Sequence, residues 1–102
     1  MPITSTHSAD GNALTINIEG RFDFSSHQQF RRAYEEGSDS KPASYIIDMK
    51  ETSYLDSSAL GMLLLLRDYA GGDASDISIV NANDDVKKIL SISNFGQLFT
   101  IQ

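Results

Sequence analysis

The chain has 102 residues, 40% hydrophobic and 22% charged, which suits one globular domain built round one core. Fourteen acidic residues against eight basic ones leave a net charge of −6, a balance that repels nucleic-acid phosphates and anionic lipid heads. There is no cysteine, and His7 and His27 fall in different predicted elements, so neither a disulfide framework nor a metal site is expected.

The opening "MPITSTHSADGN" lacks a basic region followed by an apolar run, so no signal peptide is expected. Leu14, Ile16 and Ile18 alternate with Thr15, Asn17 and Glu19, the period of a half-buried strand. The turn Asp10-Gly11-Asn12 precedes it, which predicts a hairpin with residues 3–9. Gly20 ends the strand. "RFDFSS" then leads into a helix, with Ser25 and Gln28, or Ser26 and Gln29, as candidate capping boxes. Phe30, Ala33 and Tyr34 fall on one face of that helix, Arg31, Arg32, Glu35 and Glu36 largely on the other, and Gly37 is a natural stop.

"SYIIDM" (44–49) and "ISIV" (77–80) read as strands buried on both faces. Residues 57–70 form a helix closed by Gly71-Gly72. Asn83 or Asp84 caps a further helix with Val86, Ile89 and Leu90 as its inner stripe, and "LFTI" (98–101) is a final strand. The order β-β-α-β-α-β-α-β predicts an α/β fold, one mixed and mostly parallel sheet with helices packed on it. The longest apolar stretch, Ala59–Leu66 with Gly61 inside it, is far shorter than the ~20 residues that cross a bilayer. The expected location is the cytoplasm.

The helix that begins at Asp56-Ser57-Ser58 is apolar over most of its circumference. Leu60, Leu63 and Leu64 share one side, and Met62, Leu65, Leu66 and Tyr69 widen the stripe. Three helices on a small sheet cannot bury all of it, so Leu60, Met62 and Leu64 are candidates for an exposed partner surface, while Leu63 and Leu66 belong to the core. A helix start needs one capping residue, yet three polar residues stand here, followed by the small Ala59 and Gly61. A phosphate on one of these hydroxyls would meet amide donors and the positive end of the helix dipole.

The segment "IIDMKETSYLDSSALGMLLLL" resembles the signature of the STAS domain, the family of anti-sigma factor antagonists. There a buried strand runs into Asp-Ser-[Ser/Thr]-Gly-Leu-Gly and an apolar helix. "GRFDF" (20–24) is similar to the family's Gly-x-[Leu/Phe]-Asp segment, and "VKKILSISNFGQLFTI" (86–101) to its closing helix, turn and strand. The resemblance spans nearly the whole of 1–102, read as a single STAS domain. It implies that Ser57 is the phosphorylated residue, that Ser58 fills the adjacent position, and that Asp23 is the loop aspartate beside the site. Asp56, Ala59, Leu60, Gly61, Met62 and Leu64 complete the environment. Ala59 stands where glycine is usual.

The implied role is a partner switch without catalysis or cofactor. The unphosphorylated face binds a GHKL-type kinase that also acts as an anti-sigma factor, phosphorylation of Ser57 ends the interaction, and a PP2C-type phosphatase restores it. An alternative keeps the fold but makes the protein a subunit that docks constitutively in a lipid-transport or stress-signalling complex. An enzymatic reading would cluster Asp23, Asp48 and Asp56 round a nucleophilic Ser57. No base stands near that serine in the sequence, and no Gly-x-Ser-x-Gly elbow surrounds it.

Overall fold

The computed structural model describes residues 3–35 and 42–102. Gly37 as a helix stop and Glu36 on the polar face lie outside the described residues.

The strands are β1 (Ile3–His7), β2 (Ala13–Ile18), β3 (Gly20–Phe22), β4 (Ser44–Asp48), β5 (Thr52–Leu55), β6 (Ile77–Val80) and β7 (Thr100–Ile101). The helices are α1 (His27–Glu35), α2 (Ser57–Tyr69) and α3 (Asp84–Ile92). The main sheet runs β1-β2-β4-β6-β7. β1 is antiparallel to β2, with Ile3 opposite Ile18 and His7 opposite Leu14, as the hairpin signal requires. The other three pairings are parallel, each reached through a helical crossover. The expected mixed, mostly parallel sheet is present. Only Thr100–Ile101 of the predicted last strand pairs, because a 3-10 turn over Phe95–Gln97 occupies the chain just before it.

Two findings depart from the sequence reading. First, β4 and β6 are buried on one face only. Tyr45, Ile47, Ile77 and Ile79 point into the core, while Ile46, Asp48, Ser78 and Val80 are half-exposed. The helices contribute Phe30, Tyr34, Leu63, Leu66, Val86 and Leu90 to the same core as Leu14, Ile16 and Ile18, so all three helices cover one side of the sheet. Second, the stretches read as connections after Gly20 and before Asp56 are β3 and β5, which pair in parallel as a separate two-stranded ribbon. Gly20 has a φ of +74°, a left-handed turn that lets the chain leave β2 and start β3 at once.

The ribbon is fastened to its surroundings. Gly20 N–H donates to the Glu51 carbonyl at 2.8 Å, and the buried Thr52 hydroxyl donates to the Ile18 carbonyl at 2.8 Å. The Asn83 side-chain amide donates to the Thr52 carbonyl at 3.2 Å, tying the start of α3 to the same strand. From the ribbon an aromatic chain crosses both nearby helices. Phe22 meets Phe30 with ring centroids 5.0 Å apart, Phe30 meets Tyr34 at 5.5 Å, and Tyr34 meets Tyr69 of α2 at 5.1 Å. Such pairs add about 0.5–1.5 kcal/mol each beyond the area they bury.

Candidate functional site at the paired helix starts

In the ribbon, Arg21 lies opposite Tyr54 and Phe22 opposite Leu55. Phe22 and Leu55 are sealed in the core, so Arg21 and Tyr54 point outward. The next residues, Asp23 and Asp56, leave the ribbon side by side, and each begins a helical segment.

Asp56 has extended backbone (φ −120°, ψ −173°), and its Oδ1 accepts from Ala59 N–H at 3.0 Å. It is the N-cap of α2. Asp23 does the same for the 3-10 turn Phe24–Ser26 that leads into α1. Its Oδ1 accepts from Ser25 N–H at 3.0 Å and from the Ser25 hydroxyl at 2.5 Å. The capping box is therefore Asp23 with Ser26, and neither serine–glutamine pair forms one. The Ser25 hydroxyl, more than any other contact, holds the Asp23 carboxyl below its ordinary value.

With Asp56 as cap, neither serine after it has that duty. Ser57 is exposed at the first position of α2, and its hydroxyl has no hydrogen-bond partner among the described residues. Ser58 is half-buried. From Ser57 the solvent face of α2 continues through Gly61, Leu64, Leu65 and Asp68, all exposed and spaced as neighbours on one helix face. A Cβ at Gly61 would meet nothing within 4 Å, so the bare backbone there is not demanded by the chain's own packing.

The exposed apolar surface follows that face. Leu64 is 39% exposed and Leu65 53%, with Tyr54 at 41% and Phe24 at 74% beside the serine. Leu60 is half-buried. Met62 is a correction: expected as a candidate for the exposed surface, it is buried in the core, and Ala59, the small residue after the serines, is buried beside it. The turn of the helix decides this: Ala59, Met62, Leu63 and Leu66 share the inward side. Phe24 and Tyr54 were not expected on the surface by sequence reasoning, and Leu65 was read only as part of the helix's apolar stripe. Phe24 and Tyr54 flank the helix starts in sequences read as loops, and only the ribbon brings them together. A groove between α1 and α2, lined by His27, Arg31, Tyr34, Glu35, Leu65 and Tyr69, extends the same surface.

Asp48 does not join Asp23 and Asp56. Its Oδ1 accepts from Lys50 N–H at 3.0 Å and from the Asn81 side-chain amide at 3.2 Å. Among the described residues no group of three or more His, Asp or Glu is placed to hold a metal ion. A larger cavity of about 420 Å³ lies between the end of α3 and β7 and shares no residue with this site.

Residues 5–100 match the protein family described as "Mlab, STAS domain". A STAS-domain containing protein of Pseudomonas aeruginosa (strain UCBPP-PA14) is 58% identical over 101 residues, covering 99% of both chains. In structure, the chain is similar to a candidate anti-sigma factor antagonist from Thermotoga maritima, with a TM-score of 0.81 at 14% identity over 97% of this chain and 84% of that one. It is also similar to the Bacillus cell fate determinant SpoIIAA in its phosphorylated form, with a TM-score of 0.66 at 16% identity over 98% of this chain and 90% of that one. The fold is therefore that of the anti-sigma factor antagonists.

Proposed function

The chain belongs to the STAS-domain family, and from that premise we propose that it is an anti-sigma factor antagonist working as a phosphorylation-controlled partner switch. One observation carries the reading: Ser57 stands exposed on a capped, anchored helix start, its hydroxyl without a hydrogen-bond partner among the described residues, and exposed apolar side chains lie on the same face. Unphosphorylated, this face binds a GHKL-type kinase that doubles as an anti-sigma factor, and the kinase releases its client.

Phosphorylation moves the γ-phosphoryl group of ATP to Ser57 Oγ. ADP leaves, and the hydroxyl proton passes to a base supplied by the kinase. Ser57 needs only to be reachable on a rigid support, which the Asp56 cap and the Thr52 anchor provide. The product carries roughly two negative charges next to Asp56 and Asp23. A partner docking on Phe24, Tyr54, Leu64 and Leu65 would have to desolvate that charge. A PP2C-type phosphatase hydrolyses the ester and returns the hydroxyl.

The test is the affinity of the GHKL-type kinase for wild type, Ser57→Ala and Ser57→Asp. Switching from nearly full to nearly absent binding needs a difference of about 5 kcal/mol. We expect Ser57→Ala to bind and Ser57→Asp to fail, and equal affinities for all three would reject the switch.

A second reading has one observation in its favour. Leu64 and Leu65 lie seven and eight residues beyond Ser57, about 11–12 Å along the helix, where a phosphate acts weakly. That part of the face suits constitutive docking in a lipid-transport or stress-signalling complex. Unchanged retention of such a complex by Ser57→Asp would select it.

A further inference from the structure

We infer that Arg21 is the internal cation that receives the Ser57 phosphate, its guanidinium leaving the Asp23 carboxylate and the Tyr54 ring to pair with the phosphate oxygens. The inference rests on Ser57 being the phosphoacceptor, and it names the residue of this chain that answers the modification.

Arg21 is the sole lysine or arginine in 20–26 and in 52–61, the two segments that build the site. Its guanidinium carbon lies 4.4 Å from the centre of the Tyr54 ring, and its Nε lies 3.4 Å from Asp23 Oδ2. The second contact is long for a charge-assisted bond, which runs about 2.7–2.9 Å. The Arg21 side chain is 67% exposed. It is therefore parked on two weak, solvent-screened partners that a dianion can outbid.

The direction is also set. β3 and β5 are parallel, and Asp23 follows Arg21 along its strand, so a guanidinium that touches Asp23 already leans toward the end where Ser57 lies. Ser57 is three residues past Tyr54, at most about 10 Å of chain. Arg21, opposite Tyr54 in the ribbon, would have to span that length by turning about its own side-chain bonds. The other arginines near this face are engaged or distant: Arg31 Nε is bonded to Glu35 at 2.7 Å, and Arg67 to Asp73 at 2.8 Å. The other charged or titratable groups on the elements that meet here are Asp23, Asp56, Tyr54 and His27, with Lys50 and Glu51 just before β5, and Asp84, Asp85, Lys87 and Lys88 on α3, which packs against β5. Loss of Arg21 removes the one lysine or arginine of the two segments that build the site.

The test uses the full chain with phosphoserine incorporated at position 57, compared in wild-type, Arg21→Gln and Arg21→Lys backgrounds. A phosphorus NMR titration reads the second ionisation of the phosphate. We expect it roughly half a unit lower with Arg21 than with Gln, with Lys between, and a gap that closes in high salt. The Tyr54 ring resonances should shift on phosphorylation only when Arg21 is present. Superimposable titrations for folded wild type and Arg21→Gln, with no Tyr54 response, would overturn the inference. That result would leave partner switching intact. Equal kinase binding with and without phosphate would instead remove the switch without touching the Arg21 titration.

Discussion

Phosphate on Ser57 should abolish docking while leaving the fold almost as stable as before. The terms can be set out from the site. Asp23 and Asp56 follow adjacent strands, and the separation of a phosphate on Ser57 from each carboxylate is taken as about 7 Å for the arithmetic. Each pair of unit charges at that distance in water costs about 0.6 kcal/mol. A dianion facing two aspartates costs about 2.4 kcal/mol unscreened, and physiological salt, with a screening length of about 8 Å, reduces this to about 1 kcal/mol. The helix dipole returns about 0.3–1 kcal/mol at an N-terminus, and Arg21 offsets part of the rest. The net change falls within about 1 kcal/mol of zero. For a domain of this size that moves the melting temperature by no more than roughly 4–8 °C. Urea and thermal unfolding of the chain with phosphoserine at 57 measures it against the unmodified protein. A fall of more than about 15 °C would mean that the phosphate breaks the helix start rather than altering its surface, and the reasoning about the junction would be wrong.

Gly61→Ala should raise stability by about 0.5–1 kcal/mol, since glycine inside a helix costs that much and the new methyl meets open space; urea denaturation reads the gain, and kinase binding should weaken if a partner approaches that bare backbone. Leu63→Ala should cost about 2–5 kcal/mol because the side chain is fully buried, whereas Leu65→Ala should stay within about 0.5 kcal/mol yet reduce partner affinity in a titration. Tyr45→Phe should stabilise the protein or leave it unchanged, because the hydroxyl is buried without a hydrogen-bond partner among the described residues. Burial also raises the Tyr45 ionisation above its ordinary 10.0, so its contribution is complete below pH 10 and is lost as pH rises through the higher folded value. Alkaline unfolding should therefore come later for Tyr45→Phe than for wild type, as followed by circular dichroism against pH.

The main sheet and helices were legible because their patterns are periodic. Leu14, Ile16 and Ile18 alternate and are buried, and Phe30 and Tyr34 share an inward helix face as their spacing predicts. Apolar runs are less informative. "SYIIDM" and "ISIV" look the same whether one face or two are covered, and only the placement of all helices on one side decides between them. β3 and β5 are three and four residues long and carry Arg21, Ser53 and Tyr54 outward, which reads as loop. Their pairing is non-local, and so is everything that follows from it: the neighbouring aspartates, the Arg21–Tyr54 stack and the exposure of Phe24. Within α2, the excess of leucines correctly signalled incomplete burial, but composition could not say which side turned outward. The helix phase puts Met62 in and Leu65 out.

The ribbon also explains why two polar residues can follow the cap without waste. An ordinary strand-to-helix junction uses its first polar side chain to satisfy orphan amides, and a serine in that role has its oxygen engaged. Here both junctions assign that task to an aspartate, Asp23 on one strand and Asp56 on the other, each accepting from an amide at 3.0 Å. The residue after each cap is then released from capping, and both are exposed: Phe24, whose ring stacks on His27 with centroids 6.2 Å apart, and Ser57, whose hydroxyl has no partner among the described residues. An apolar contact and a modifiable contact thus stand next to each other on parallel strands whose register is held by Thr52 and Asn83. Modification of one changes the solvation of the other without either helix losing its cap. A change of binding at nearly constant fold stability follows from that division of labour, and Asp56→Ala separates the two: it should cost about 1 kcal/mol of stability while leaving Ser57 reachable.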